Sequence, residues 1–123
     1  MRRALKIFLM SLWLLPHLAT ADTVLLMAEE DGCYWCATWT KQIGPIYPKT
    51  PEGQMAPLLR FDVTGPAPDG MHLDRPVHFT PTFILMQDGA EMGRIEGYPG
   101  EDFFWGLLSQ LFQNANISLS PTG

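Results

Sequence analysis

Thr23-Val24-Leu25-Leu26-Met27-Ala28, then Glu29-Glu30-Asp31-Gly32, then Cys33-Tyr34-Trp35-Cys36 is the stretch on which the reading of this chain turns. Its first six residues form a continuous apolar run of strand length, the pattern of a strand buried on both faces in a parallel sheet. The acidic run and Gly32 break that strand. A helical pattern follows through Trp35, Trp39 and Ile43, and Pro45 and Pro48 end it. Cys33 is thereby placed at or near a helix N-terminus, where unpaired N–H groups and the helix dipole favour an anion. A thiol in that position has its pKa lowered and presents the nucleophilic thiolate. Cys36, one turn further on, lies on the same face and within disulfide reach. Attack by Cys33 on a disulfide gives a mixed disulfide, which Cys36 then resolves. The three carboxylates just before the motif oppose the helix and push the thiol pKa upward.

The cysteine count sharpens this. The chain has two cysteines, both in this motif, and neither has another thiol to pair with. A secreted domain that relies on disulfide staples usually carries several pairs at longer spacings. Closing so small a loop is worth about 2 kcal/mol by chain entropy, against about 3 for a 15-residue loop. The bond is poorly placed as a staple and well placed to be made and broken.

Outward from the motif, Ala56 to Val63 reads as a second strand, after a loop-heavy stretch rich in proline and glycine from Gly44. Gly65 to Pro76 is an irregular connection. Thr82 to Gln87 and Glu91 to Glu96 read as strands joined by Asp88-Gly89, a strong hairpin signal. Gly97 to Gly100 turns the chain, and Phe104, Leu107, Leu108, Leu111 and Phe112 form a helical stripe that reads as core. The order is β-α-β, a β-hairpin, then α. Trp39 is expected in the core, and Met27, Met55, Met71, Met86 and Met92 as scattered core filler. Tyr34 and Trp35, inside the motif, are either a docking face for a partner or rings laid on the protein's own surface.

The first 21 residues stand apart from the fold. Met1 to Lys6 is basic, Ile7 to Leu15 is apolar, and Ala19-Thr20-Ala21 has the small-x-small pattern of a cleavage site. The apolar run is shorter than the roughly 20 residues a membrane span takes. A cleaved signal peptide over 1–21, a domain over 22–117 and a flexible tail over 118–123 are expected, with export to a bacterial periplasm. Cleavage would take Arg2, Arg3 and Lys6 from the 8 basic residues and none of the 13 acidic ones, changing the net charge from −5 to −8. So acidic a chain argues against nucleic acid or an anionic membrane surface as partner. A monomer is expected, and the thiol chemistry calls for no cofactor.

Taken together, the element order, the CxxC after the first strand, Thr80-Pro81-Thr82 opening a hairpin strand, and Gly89 and Gly97 resemble the thioredoxin family over roughly Val24 to Phe112. The resemblance implies an α/β thioredoxin fold, a minimal βαβ–ββα three-layer sandwich lacking the N-terminal strand and helix. It implies that Cys33 and Cys36 are catalytic and that Pro81 is a cis-proline facing them. Thr80 would offer backbone hydrogen bonds to a bound substrate strand. Tyr47 to Gly53 and Gly93 to Trp105 are more narrowly similar to the periplasmic thioredoxin-like proteins of bacterial sulfur-oxidation (thiosulfate-oxidising) systems. That group's implied task is to keep the cysteine of a sulfur-carrier protein reduced, with electrons from a membrane thiol transporter.

Departures from the family pattern carry information as well. The dipeptide between the cysteines is Tyr34-Trp35, Gly32 precedes Cys33, and Met27 stands where thioredoxin has a buried Asp. Glu29, Glu30 or water is then left to handle the proton of Cys36. Strong oxidants of the family carry a His before the second cysteine, and its absence favours a reductant. Three other readings stay open. One is reduction of apocytochrome thiols before haem attachment, or general periplasmic disulfide reduction. Another is a zinc or copper site built from Cys33, Cys36, His72 and His78, since His-x5-His is an acceptable ligand spacing. The last is an interaction module with a fixed disulfide.

Overall fold

Strand β1 (Thr23–Glu29) runs through the interior of a four-stranded sheet, parallel to β2 (Leu58–Asp62) and antiparallel to β3 (Thr82–Gln87), with β4 (Ala90–Glu96) completing the order β2-β1-β3-β4. This computed structural model describes residues 22–119. The expected signal segment and the end of the expected tail lie outside the described residues. Helix α1 (Tyr34–Gln42) follows β1, a 3-10 turn (Tyr47–Lys49) and short α2 (Pro51–Met55) lead to β2, and α3 (Glu101–Asn114) closes the order. No helix among the described residues is long and apolar enough to cross a membrane.

The alternation of β1 sorts the core into two clusters. Leu25 and Met27 face a large cluster with Trp39 and Ile43 of α1 and Phe104, Leu108 and Phe112 of α3. Leu26 faces the other way, with Ile84 and Met86 of β3. Both long helices therefore cover one face of the sheet. The second face is covered by irregular chain, where Met71, Leu73 and Val77 pack on the smaller cluster. The third layer of the sandwich is thus a loop. Asp88 (φ 52°) and Gly89 (φ 80°) turn the β3–β4 hairpin in the left-handed conformation that tight hairpins require.

Several details differ from the sequence reading. The second strand is shorter than Ala56 to Val63, because Ala56 caps α2 and Pro57 offers no N–H to the ladder. The stretch before it, read as loop-heavy, carries a 3-10 turn and the short helix α2. Thr50 caps α2 by accepting the Gly53 N–H at 3.0 Å, with Pro51 in the first turn. Gly53 has no room for a side chain, since a Cβ there would run into the Tyr47 carbonyl oxygen. Leu107 is exposed, because α3 meets the sheet through the narrower row Phe104, Leu108, Phe112. Met55, ending α2, and Met92, on an edge strand, are also exposed and are not core filler. Beyond α3, Ile117 and Leu119 pack against the large cluster.

Candidate active site

Cys33 is the N-cap of α1, in extended conformation, and its carbonyl accepts the first helical N–H, from Ala37, at 3.1 Å. Its Sγ takes the place of a capping oxygen, accepting the Cys36 N–H at 3.1 Å. The same N–H and the positive end of the helix stand ready to hold a thiolate when the bond opens. Gly32, at φ 80°, supplies the bend that brings the chain from β1 onto the helix axis. Cys33 and Cys36 are joined as a disulfide with their Cα atoms 5.3 Å apart. Cys33 is half-buried, whereas Cys36 is 5 % exposed and belongs to the large core cluster together with Met27. Cys33 is thus the more accessible of the two.

The Thr80–Pro81 peptide is cis, and it opens β3. This segment is anchored at three points. Thr80 Oγ1 donates to Glu30 Oε1 at 2.8 Å, linking it to the loop that carries Cys33. Thr82 Oγ1 donates to the Phe79 carbonyl at 2.5 Å, and the Gly97 N–H donates to the Pro81 carbonyl at 2.7 Å. Tyr34 and Trp35 are 70 % and 54 % exposed and touch edge to face with ring centres 5.0 Å apart. Each ring leaves more than half of its surface to solvent.

On the β2 side of the motif, a groove of about 830 Å³ opens beside Cys33 and Cys36, walled by α1 and the end of β2. Arg60 organises it. Its guanidinium donates to Glu29 Oε2 at 2.6 Å and to Thr40 Oγ1 at 3.2 Å, and sits 5.7 Å from the centre of the buried Trp39 ring. Glu29, which follows Met27 on the same face of β1, is therefore an ion-pair partner at this edge. Asp62, lining the same groove, is held below the usual carboxylate range by hydrogen bonds from the Thr64 hydroxyl and N–H.

The four residues of the metal reading do not come together. His72 bridges to Ala90 and its N–H donates to the Gly89 carbonyl at 2.8 Å, at the hairpin end of the sheet. The cysteines lie at the opposite end, beyond Glu29. Among the described residues no group of three metal-ligating side chains forms a cluster. Sequence reasoning missed the Arg60 bridge, whose partners lie 31 and 20 residues away, and the Glu30–Thr80 contact across 50 residues.

No family model matches the chain, and no curated protein matches it. Solved structures do. The periplasmic thioredoxin SoxS of Paracoccus pantotrophus, solved in its reduced form, is 52 % identical, with 76 % of this chain and 99 % of that one covered and a TM-score of 0.75. The thioredoxin of Malassezia sympodialis (Mala s 13) is 21 % identical over 72 % of this chain and 74 % of its own, with a TM-score of 0.52, a likeness of fold alone. The thiol pair at a helix start, the sheet order and the identity to SoxS agree. The chain belongs to the thioredoxin family of thiol–disulfide oxidoreductases.

Proposed function

We propose that this protein is exported to the periplasm, by a signal peptide over residues 1–21, and acts there as a disulfide reductant. Its substrate on this reading is the cysteine of a sulfur-oxidation carrier protein, which it returns to the active thiol. The observation that carries the reading is the Cys33–Cys36 disulfide at the start of α1 in a chain 52 % identical to a periplasmic thioredoxin.

The chemistry follows from the positions of the two sulfurs. In the dithiol form, the Cys33 thiolate attacks one sulfur of the carrier's disulfide. A Cys33–carrier S–S bond forms, and the other sulfur leaves as a thiolate that takes up a proton. Cys36 loses its proton and attacks Cys33 Sγ, releasing the carrier thiolate and closing the Cys33–Cys36 bond. Two electrons have moved to the carrier. A membrane thiol-electron transporter restores the dithiol by the same exchange in reverse. Thr80 and Pro81 are assigned to align the substrate backbone, and Tyr34 and Trp35 to contact its side chains. The exposure of Tyr34 and Trp35, flanked by the two cysteines, supports their part of that assignment.

The test is to trap partners with Cys36→Ser in cells growing on thiosulfate, since that variant stalls at the mixed disulfide. The expected catch is the sulfur carrier. Recovery of haem-maturation proteins with no sulfur carrier would replace this reading with reduction of apocytochrome thiols.

A further inference from the structure

Glu91 and Arg94 form an ion pair whose side chains are each 3 % exposed, although both lie on an edge strand. Residues three apart on a regular strand point to opposite faces. Here the register slips: Leu85 pairs with Gly93 and Met86 with Glu91, so Met92 is the extra residue of a β-bulge. The bulge turns Glu91 and Arg94 onto one face. Arg94 pairs with Ile84 and Glu91 with Met86, so that face is the one covered by irregular chain.

What the pair holds there is the backbone that leads to the active site. Arg94 Nε and Nη2 grip the two Glu91 carboxylate oxygens at 3.1 and 2.6 Å. Two of the three remaining guanidinium hydrogens reach the loop: Nη2 donates to the Arg75 carbonyl at 2.9 Å and Nη1 to the Pro76 carbonyl at 3.2 Å. Glu91 Oε1 also accepts the Asp74 N–H at 3.3 Å. Three consecutive residues, Asp74, Arg75 and Pro76, are therefore fastened to β4 by one fork. Val77 packs on the small core cluster, and after His78 come the exposed Phe79 and the half-buried Thr80. Without the clamp, the backbone leading into Val77 loses its hydrogen bonds to β4, and the Thr80–Glu30, Thr82–Phe79 and Gly97–Pro81 contacts alone are left to hold Phe79 to Pro81.

We propose that Arg94 is a positioning residue for substrate docking: through the Arg75 and Pro76 carbonyls it fixes where the Phe79–Pro81 segment stands beside Cys33. The inference rests on the reading above that this segment aligns the substrate backbone. Arg94 touches neither sulfur. Its effect therefore falls on protein substrates that lie along the segment and spares a small disulfide that meets Cys33 alone.

Arg94→Lys is the informative variant. It keeps a positive charge beside Glu91, so the buried carboxylate stays compensated, and it loses the planar fork that reaches two carbonyls. With insulin as the protein disulfide and bis(2-hydroxyethyl) disulfide as the small one, KM for insulin is expected to rise about fivefold, the scale of one lost ordinary hydrogen bond, with kcat for insulin retained. Turnover of the small disulfide and the midpoint potential of Cys33–Cys36 should match the parent. Should Arg94→Lys itself fail to fold, the double variant Glu91→Gln/Arg94→Gln, which buries no charge, takes its place with the same expected split. Unchanged KM for insulin, or equal loss on both substrates, overturns the inference. A parent protein that reduces the small disulfide but not insulin overturns the docking reading along with it, and leaves the thiol chemistry standing.

Discussion

Thr80 Oγ1 and Glu30 Oε1 lie 2.8 Å apart, 50 residues apart in sequence, and this contact ties the residue before Pro81 to the loop that delivers Cys33. The Cys33 N–H donates in turn to the Glu30 carbonyl at 3.3 Å. Glu30 thus holds Cys33 through its backbone and the Thr80–Pro81 segment through its side chain. The two segments are spaced by one residue.

Breaking that tie should alter docking more than folding. Thr80→Val keeps the side-chain shape and removes the donor; Glu30→Ala removes the acceptor. Because the contact is exposed, each is expected to change unfolding free energy by less than about 0.5 kcal/mol. Each should raise KM for a protein disulfide by roughly two- to threefold, with turnover of a small disulfide retained. Urea melts and steady-state kinetics on the two substrates check this.

The two cysteines should differ sharply in access. Cys33 caps the helix at the surface, whereas Cys36 is 5 % exposed and packed with core residues. After reduction, iodoacetamide at neutral pH is expected to label Cys33 at least about tenfold faster than Cys36. Peptide mass spectrometry over a time course reads the ratio directly.

Two tryptophans four residues apart should give opposite results. Trp35 is 54 % exposed, and Trp39 is fully buried among Tyr47, Phe83 and Phe104. Trp39→Ala is expected to cost about 3–5 kcal/mol of stability. Trp35→Ala should leave stability within about 0.5 kcal/mol. Its effect should be on a protein substrate, with binding weakened by more than about 1 kcal/mol. Thermal melts and KM measurements separate the two.

Tyr47 provides a pH test of the packing behind the site. Its hydroxyl donates to the buried Ala56 carbonyl at 2.6 Å, and burial, helped by the nearby Glu52 charge, pushes its pKa well above the ordinary tyrosine value. A group whose folded pKa is raised contributes stability that is complete below its unfolded pKa and declines above it. The parent's stability should therefore fall above about pH 10. Tyr47→Phe should cost about 1–2 kcal/mol at neutral pH, because it orphans a buried acceptor. The gap between parent and variant should narrow as pH rises beyond 10, measured by denaturant titration at several pH values.

Much of this arrangement could be read from the residues because its causes are local. The β1 run, the acidic break, the helix beginning at the CxxC and the Asp88-Gly89 hairpin each follow from patterns a few residues long. Helix α2 was missed: Thr50-Pro51-Glu52 is an N-cap, a first-turn proline and a first-turn acid, but the surrounding prolines and glycines read as loop. Arg60 and the Glu91–Arg94 pair were not legible. Arg60 finds Glu29 only through the β1–β2 register, and Glu91 shares a face with Arg94 only because Met92 bulges. A strict two-residue period places those last two on opposite faces.

The most direct test of the account is the midpoint potential of the Cys33–Cys36 pair, by equilibrating the purified protein with dithiothreitol and glutathione buffers. The account predicts a reducing couple, at about −270 mV or lower, able to pass electrons to a carrier disulfide. A value near −120 mV would contradict it, making the protein a donor of disulfides and reversing every electron transfer described above.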